Sequence, residues 1–590
     1  MRRAGQLHTC SHTVLARGRW LALVVAGALG LAACASPPAT PGPTGQGGGA
    51  RTPEQPRTLV MIDRHEPQGL LEKILAAGTS GTARRLFNAY LVVNDDHGVP
   101  TPYLAEAIPQ LNTDSWRVYP DGRMETTYSL RAGLTWQDGA PLTADDFVFA
   151  FGVYSEPTLG IFSATPQNLI DEVQAPDART VLIRWRSTYP DAGRLAENSL
   201  EPLPKHLLEQ SRQAAKQDPA GRETFLNLPF WTTEYIGAGP YRLDQWEHGE
   251  RMEASAFAGH ALGRPKIDRI IYRFIADENT ILSNVLAGEA QFTTTTSLRM
   301  THAQVLKRDW VSANKGSVLY SKNAVFYNHV QYRPEYLKSP ALMDLRVRQA
   351  LAHSIDKQAV VDTLYEGESV PAYTFISAGE PYFPVVDRAI TKYPYDPRRT
   401  EQLMNEAGLA KDRDGFFADP AGVRFAPDFE ALESADYARA GQIMQDSWRR
   451  AGIDVQYSVM PNAMIRNNER RHKSPGITSP GAGLGNAKQA LSQWSSSEIG
   501  TADNRWNGSN RGGWTDPEFD RLFDLYNTTL DPAARDQVVA QAMKVLSDQL
   551  PGIPVYYNIY PVAVAASLQG PTAGPSSETV YWNIHDWQLK

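Results

Sequence analysis

Apolar and polar residues alternate along this chain with two periods, one typical of strands and the other of helices. The segment 124–130 alternates like a half-exposed strand, and turn residues follow it. Thr143 can then cap a helix, with two acidic residues favourably placed in the first turn. The apolar residues that share one face of this helix are Phe147, Ala150, Phe151 and Tyr154.

Aspartates mark further helix starts along the chain. An aspartate side chain accepts hydrogen bonds from the free N–H groups of a first turn, and proline suits the first helical position. The aspartates that predict helix starts are Asp344, Asp356, Asp396, Asp516 and Asp531. Strands are predicted at 58–62, 269–275, 318–327, 454–459 and 553–557. Because helices and strands interleave throughout, the predicted class is α/β, with long loops at 461–512 where Gly, Ser and Asn are frequent.

The N-terminal segment has the pattern of a secretory signal. Arginines precede an apolar run from Trp20 to Gly30, and Leu-Ala-Ala-Cys ends at Cys34. This predicts a signal peptide at 1–33, cleaved before a lipidated Cys34; the alternative is a plain signal peptide with an incidental cysteine. The apolar run is shorter than the roughly 20 residues of a membrane-spanning helix. Residues 34–57 are rich in Pro and Gly and predict a flexible stalk.

Charge and cysteine content exclude several classes of function. The formal net charge is −7, and removal of the four arginines in residues 1–33 makes it −11. Such a chain is a poor candidate for binding nucleic acid or anionic lipid by charge. Cys10 lies in the predicted signal peptide and Cys34 is the predicted lipid site, so no thiol remains for a disulfide, a zinc cluster or a nucleophile.

Catalytic motifs give no support for an enzyme. The twelve histidines form no compact metal-binding pattern, and neither a nucleophile elbow nor a phosphate loop occurs. The segments 312–315 and 354–357 match Ser-x-x-Lys, but the companion motifs of serine enzymes are missing. We therefore predict no catalytic residue, no metal and no cofactor.

Aromatic residues within the loop-like part of the chain are candidates for ligand contacts. Trp494, Trp506 and Trp514 stand among amide and hydroxyl side chains, which suits a cleft that holds a polar organic ligand without reacting with it. The alternative is that these rings anchor irregular loops to the core. His65 and Glu66, just after the first strand, belong either to a solvated loop or to a ligand-facing edge.

Several blocks resemble the extracellular solute-binding proteins of family 5, the dipeptide-, oligopeptide- and nickel-type receptors of ABC importers. The most specific block is Tyr-Ser-Leu-Arg-Ala-Gly-Leu-Thr-Trp-Gln-Asp-Gly-Ala-Pro-Leu-Thr-Ala-Asp-Asp-Phe at 128–147. Further matching blocks, in the family's order, are 237–241, 286–289, Tyr327-Asn328 with 344–357, 396–408 and 514–520. The resemblance covers about 58–590.

The resemblance implies a two-lobed, periplasmic-binding-protein-like fold of type II with a ligand cleft between the lobes. It implies lobe I at 58–95, about 201–315 and about 551–590. An extra domain is implied at about 96–200, and lobe II at about 316–550. The implied function is capture of a peptide-like or other polar organic solute outside the cytoplasm and its delivery to ABC permease subunits. We expect a monomer that is held at the membrane only through its lipid. A receptor of this fold for sensing or envelope chaperoning is the alternative, and a secreted hydrolase is disfavoured.

Two placements of the ligand-binding loop remain open. Peptide-binding members of the family often carry a Trp and an acid there, and the acid meets the ligand's amino group. In one placement the loop is 477–485, which has neither and argues against free peptides, since a buried ammonium without a carboxylate is costly. In the other, Trp494 and Glu498 supply them. The predicted ligand-contact residues are His65, Glu66, Tyr327, Asn328, Trp494, Glu498, Trp506 and Asn510.

Overall fold

An eleven-stranded mixed sheet organises the chain. The computed structural model describes residues 56–590 except 76–80, 160–164, 198, 466, 481 and 575–578. The predicted signal peptide, Cys34 and nearly all of the stalk lie outside the described residues. The strands are β1 (Thr58–Asp63), β2 (Val92–Asn94), β3 (Pro100–Pro102), β4 (Trp116–Val118), β5 (Met124–Ser129), β6 (Ile170–Asp177), β7 (Thr180–Trp185), β8 (Tyr241–Glu247), β9 (Arg251–Ala256), β10 (Arg269–Phe274), β11 (Phe292–Thr293), β12 (Gly316–Val330), β13 (Ala410–Lys411), β14 (Phe417–Ala418), β15 (Asp428–Leu432), β16 (Gln456–Met460), β17 (Ile477–Ser479), β18 (Ala482–Leu484), β19 (Gly552–Ala565), β20 (Leu568–Gln569) and β21 (Gln588–Leu589).

Helices pack on this sheet and confirm the predicted α/β class. They are α1 (Glu72–Leu75), α2 (Gly81–Phe87), α3 (Ala144–Tyr154), α4 (Lys205–Gln217), α5 (Pro219–Leu226), α6 (Glu278–Ala287), α7 (Met300–Leu306), α8 (Leu345–His353), α9 (Lys357–Tyr365), α10 (Phe383–Ala389), α11 (Pro397–Glu406), α12 (Ala435–Ala451), α13 (Asn462–Ile465), α14 (Asn468–His472), α15 (Ala487–Trp494), α16 (Pro517–Thr528) and α17 (Pro532–Gln549). Within the described part of the chain, no helix has the length and apolar character needed to cross a bilayer.

Two long strands join the two halves of the sheet. Its order is β16-β15-β17-β12-β19-β11-β1-β10-β9-β8, with β18 pairing β12. The antiparallel pair β12 and β19 stays in register from Gly316↔Ala565 to His329↔Gly552, with two irregularities. We call the side with β1 and β8–β11 the first lobe, and the side with β15–β18 and α8–α17 the second lobe.

A separate four-stranded sheet, in the order β4-β5-β7-β6, lies within the predicted extra domain. Its buried Trp185 belongs to the same hydrophobic cluster as Tyr272 of β10. This small sheet therefore packs on the first lobe, while the predicted domain boundaries stay predictions.

Strand β12 separates two hydrophobic clusters in the second lobe. Phe326 packs in the cluster that contains Trp448 of α12. Its neighbours Val325 and Tyr327 point into the cluster that contains Trp494 and helices α16 and α17. This alternation is the period of two that a strand imposes on its side chains.

The predicted helix starts are confirmed by their caps. The side chain of Asp344 accepts a hydrogen bond from the N–H of Arg346 at 2.8 Å, and Asp356 accepts one from Ala359 at 2.9 Å. Asp396, Asp516 and Asp531 cap α11, α16 and α17 in the same way. These short polar side chains satisfy N–H groups that a first turn leaves free.

The prediction of long loops at 461–512 was wrong over part of its length. Helix α15 occupies 487–494, with Asn486 accepting from the N–H of Gln489 at 3.0 Å. The buried residues on its inner face are Ala487, Ala490, Leu491 and Trp494. Their spacing is helical, and the frequent Gly and Ser around them concealed it. Strand β17 also lies here, parallel to β15 and antiparallel to β12.

Candidate functional site

A cavity of about 130 Å³ lies between the two lobes. Both lobes and the strand β19 that joins them contribute to its walls. Its lining residues are Arg64, His65, Thr295, Thr296, Leu298, Arg299, Met300, Tyr365, Asp436, Tyr437, Asn558, Ile559, Tyr560 and Pro561. An enclosed space with charged, hydroxyl, amide and aromatic groups suits a polar organic molecule.

Charged side chains link the lobes at this cavity. Glu278 of α6 receives a hydrogen bond from Arg299 Nε at 2.9 Å and a second from Arg64. Arg299 Nη1 in turn lies 3.9 Å from Asp436 Oδ2 at the start of α12 in the second lobe. Burial raises the pKa of Asp436, and Arg299 opposes that shift. This contact is at the outer limit of an ion pair, so it joins the lobes loosely.

An aromatic wall faces these charges. The hydroxyl of Tyr365 donates to Asn558 Oδ1 at 2.7 Å, which fixes an amide of β19 at the cavity. Tyr365 also packs edge-on against Tyr556, and Tyr556 stacks on Phe326 with ring centroids 4.6 Å apart. Tyr365 of α9, which lines the cavity, is therefore backed by rings on the two strands that join the lobes.

His65 and Glu66, the predicted ligand-contact residues that follow β1, have different surroundings. His65 lines the cavity and is exposed, and its backbone N–H donates to Asp63 at 3.1 Å. Glu66 accepts hydrogen bonds from Trp246 Nε1 at 2.7 Å and from the N–H of Gly249 at 2.9 Å. His65 is thus placed to meet a solute, whereas Glu66 holds the turn between β8 and β9.

Tyr327 and Asn328 lie on opposite faces of β12. The ring of Tyr327 packs against Phe375 and Trp494, with centroids 5.6 and 6.1 Å away. Asn328 is fully buried, its Nδ2 is 3.4 Å from the sulfur of Met444, and its Oδ1 has no partner within the described residues. Neither residue is among those that line the inter-lobe cavity.

Trp494 and Asn510 lie in the core of the second lobe. Trp494 is 1% exposed and contacts Phe375 and Trp514 as well as Tyr327. The Asn510 amide donates to the carbonyls of Trp494, Ser495 and Trp514 at 2.8–3.3 Å, and its oxygen accepts from Gly513. These contacts use the hydrogen-bonding capacity of Asn510 within the protein.

Glu498 and Trp506 lie nearer the surface of the same lobe. The carboxylate of Glu498 is 3.4 Å from the hydroxyl of Ser509 and is half-buried. Trp506 has a positive φ of 59° and its ring meets His472 and the Lys473 ammonium. Both side chains are partly accessible, and their role in ligand contact stays a prediction.

The two placements of the binding loop lead to different parts of the lobe. Residues 477–479 form β17, a central strand next to β12, and the loop that follows leads to α15. In the second placement, the residues are Trp494 and Glu498. Trp494 is the last residue of α15 and belongs to the core of the second lobe. Trp494 is buried in this structure, and both placements of the loop stay predictions.

Several residues of the site were not found by sequence reasoning. Arg64, Glu278, Arg299 and Asp436 are separated by up to hundreds of positions and match no local motif. Away from the site, Asp95, Asp96 and His97 hold three possible ligand atoms within 4.8 Å of one another. Asp95 also accepts from the N–H groups of His97 and Val99, which is ordinary turn chemistry.

Comparison with known proteins agrees with this architecture. The family model described as bacterial extracellular solute-binding proteins, family 5 Middle, matches residues 106–502. The dipeptide-binding protein of Escherichia coli is 24% identical over 552 residues, which cover 90% of this chain and 95% of that protein. A relative from Brucella ovis, named as an ABC transporter peptide-binding protein, is 28% identical over 306 residues. That match covers 50% of this chain and 51% of the relative, so the chain spans about half the length of the first relatives it matches.

The fold recurs in solved structures. The oligopeptide-binding protein of Thermus thermophilus in complex with a pentapeptide superposes with a TM-score of 0.67 at 23% identity. The superposition covers 90% of this chain and 96% of that one. The expected two-lobed, type II periplasmic-binding-protein fold is therefore confirmed. Since the family model matches more than half of the chain, this protein belongs to the bacterial extracellular solute-binding proteins of family 5.

Proposed function

We propose that this protein is a lipid-anchored, extracytoplasmic receptor that captures a peptide-like or other polar organic solute and delivers it to an ABC importer. The observation that carries the proposal is the cavity between the lobes, whose walls come from both lobes and from β19. Relatives named for dipeptide binding and for ABC-transporter peptide binding support the same solute class.

The strands that join the lobes suggest how capture works. β12 and β19 run from one lobe to the other, and the cavity lies beside them. A small rotation about these strands opens or closes the space between Arg299 and Asp436. A solute that contacts both lobes stabilises the closed form, which is the form a permease would recognise.

We infer that the receptor has no catalytic step of its own. In the two Ser-x-x-Lys segments, each serine hydroxyl donates to a backbone carbonyl, Ser312 to Arg308 and Ser354 to Leu351. Lys357 donates to the carbonyl of Ala372 at 3.0 Å. Neither segment therefore pairs its serine with its lysine, which a serine enzyme of that type requires.

Membrane attachment through Cys34 completes the proposal. The stalk at 34–57 would let the folded body reach a permease while the lipid keeps it nearby, which raises its local concentration. We expect a monomer with no affinity for nucleic acid, in keeping with its negative net charge.

The proposal is tested by identifying the captured solute. Protein purified under mild conditions is denatured, and the released small molecules are identified by mass spectrometry. The identified molecule and panels of short peptides, sugars and chelated metals are then tested for thermal stabilisation, since ligand binding to the folded state raises the unfolding midpoint. A protein that carries no solute, is stabilised by no panel and turns over a peptide or ester would contradict the receptor function.

A further inference from the structure

Glu278 of α6 is shared by two arginines of the first lobe. Arg299 Nε donates to Glu278 Oε1 at 2.9 Å, and Arg64 donates to the same oxygen. The backbone of Arg299 is fixed as well, because its N–H donates to Nδ1 of His302 at 3.1 Å at the start of α7. Both the guanidinium and the backbone of Arg299 are therefore held by the first lobe.

Asp436 faces Arg299 from the second lobe with its charge almost unpaired. Its Oδ2 lies 3.9 Å from Arg299 Nη1, and within the described residues its carboxylate accepts no hydrogen bond. Charge-assisted N–H···O bonds in a full arginine–carboxylate pair measure about 2.7–2.9 Å, and two of them often form side by side. The contact between the lobes is thus about 1 Å longer than such a pair.

We propose that Glu278 is a positioning residue that keeps Arg299 from pairing with Asp436 and so prevents the lobes from locking shut around an empty cavity. The guanidinium has one Nε–H, and Glu278 uses it to hold the planar group in the first lobe. An Arg299 released from Glu278 would be free to form a full ion pair with Asp436 across the cavity.

The gap between Arg299 and Asp436 then has a use. Because this pair is kept long, the closed form gains stability at the cavity from a molecule that contacts both lobes rather than from the protein's own charges. That this molecule is the captured solute rests on the proposed function. The competition between Glu278 and Asp436 for Arg299 does not depend on it.

The positioning role is tested by measuring how compact the protein is without added solute. Protein freed of small molecules by exhaustive dialysis is examined by small-angle X-ray scattering at low ionic strength. In Glu278→Gln we expect a smaller radius of gyration than in the wild type, because Arg299 is released to pair with Asp436. Glu278→Gln, Asp436→Asn should return to the wild-type value, which a purely structural role of Glu278 does not explain.

A longer acid at position 436 tests the same gap without changing Glu278. Asp436→Glu adds one carbon–carbon bond, about 1.5 Å of reach, which brings a carboxylate within hydrogen-bonding distance of Arg299. We expect Asp436→Glu to be more compact than the wild type, and Asp436→Asn to be no more compact than the wild type. Position 436 lies in the first turn of α12, where an acid interacts favourably with the helix dipole, so Asp436→Glu should fold.

Glu253 of β9 provides the matched control. It is also shared by two arginines of the first lobe, since it accepts from Arg251 Nε at 2.9 Å and pairs with Arg269. Its side chain is 14% exposed, against 22% for Glu278, and it is not among the residues that line the cavity. Glu253→Gln should therefore leave the radius of gyration as in the wild type.

Four results overturn the positioning role: a Glu278→Gln protein as extended as the wild type, compaction that Asp436→Asn fails to reverse, equal compaction in Glu253→Gln, or an Asp436→Glu protein no more compact than the wild type. Compaction that depends on Asp436, with no solute captured in any panel, would uphold the positioning role and reject the receptor function. A captured solute, with compaction in neither Glu278→Gln nor Asp436→Glu, would reject the positioning role alone.

Discussion

Asp191 and Arg535 form a two-pronged ion pair between the small four-stranded sheet region and the second lobe. Arg535 Nη1 and Nη2 of α17 donate to the two carboxylate oxygens of Asp191 at 2.6 and 3.1 Å. The side chains are only 14% and 23% exposed, and the guanidinium lies 4.0 Å from the ring centroid of Tyr526. Like Arg299 and Asp436 at the cavity, Asp191 and Arg535 are far apart in sequence.

Loss of the Asp191 charge should favour the open form. Asp191→Asn leaves Arg535 half-buried without a counter-charge, so we expect solute affinity to fall about tenfold as closure becomes less favourable. Isothermal titration with the solute identified by mass spectrometry measures the change. A double-mutant cycle with Arg535→Met should give a coupling energy clearly above that of a surface pair, which is about 0–1 kcal/mol.

A matched control lies in the same small sheet. Asp171 pairs with Arg186 at 3.3 Å, but both side chains are more than 60% exposed. Asp171→Asn should leave affinity unchanged. Equal affinities for the wild type and Asp191→Asn would show that the Asp191–Arg535 contact does not govern closure.

The ion pair between Asp191 and Arg535 should persist in mildly acidic solution. Burial raises the pKa of Asp191, but hydrogen bonds and charge from Arg535 outweigh it and hold the pKa below the usual value. Because the pKa of Asp191 is lower in the folded state than in the unfolded state, the ion pair contributes its full stability at pH values above the ordinary aspartate pKa. That contribution is lost only as the pH falls through the folded-state pKa of Asp191. The difference in affinity between wild type and Asp191→Asn should therefore be constant from neutral pH down to about pH 5, and a difference that vanishes in this range would argue against the assignment.

Trp494 and Glu498 should respond differently to substitution. Trp494→Ala opens a cavity in the core and should lower the free energy of unfolding by about 3–5 kcal/mol. Glu498→Gln, at a partly exposed carboxylate, should change stability by less than about 0.5 kcal/mol. Urea unfolding measures both. Loss of solute binding in Glu498→Gln with unchanged stability would support the placement of the binding loop at Trp494 and Glu498.

Lys357 should make stability depend on pH. Its ammonium group lies in the core near Tyr373, and burial lowers its pKa to about 7. Between about pH 7 and pH 10 the unfolded state then binds more protons, so the free energy of unfolding rises with pH by about 1.4 kcal/mol per unit from this group.

Lys357→Met should remove that slope, which urea unfolding at several pH values measures. The control is Lys338→Met, whose side chain is 68% exposed and which should leave the slope as in the wild type. An unchanged slope in Lys357→Met would mean that the lysine remains charged when folded.

Cys34 should determine where the mature protein is found. Cys34→Ser removes the predicted lipid site, so we expect the protein to leave the membrane fraction while its solute affinity is retained. Fractionation and metabolic labelling with a fatty acid measure this. Membrane association of Cys34→Ser equal to that of the wild type would favour a plain signal peptide.

Local signals allowed much of the fold to be predicted. The aspartates at 344, 356 and 396 begin helices because capping depends on neighbours two or three positions away. Helix α15 was missed although its apolar residues have helical spacing, because the surrounding Gly and Ser favoured a loop interpretation. The residues of the site were harder to predict than the helices and strands. Of the predicted contact residues, His65 lines the cavity, while Trp494 and Asn510 belong to the core.

By itself, the sequence determined the class, the family and the position of several helices and strands, since these depend on periodicity, caps and short blocks of residues. Only the tertiary structure decided which charges meet. Asp191 and Arg535 are 344 positions apart, and Arg299 reaches Asp436 across the lobes. The end of α14 and the segment at 511 meet because Arg333 binds the backbone carbonyls of His472 and Arg511. Such contacts depend on the packing of distant segments, and the spacing of residues along the chain carries no record of that packing.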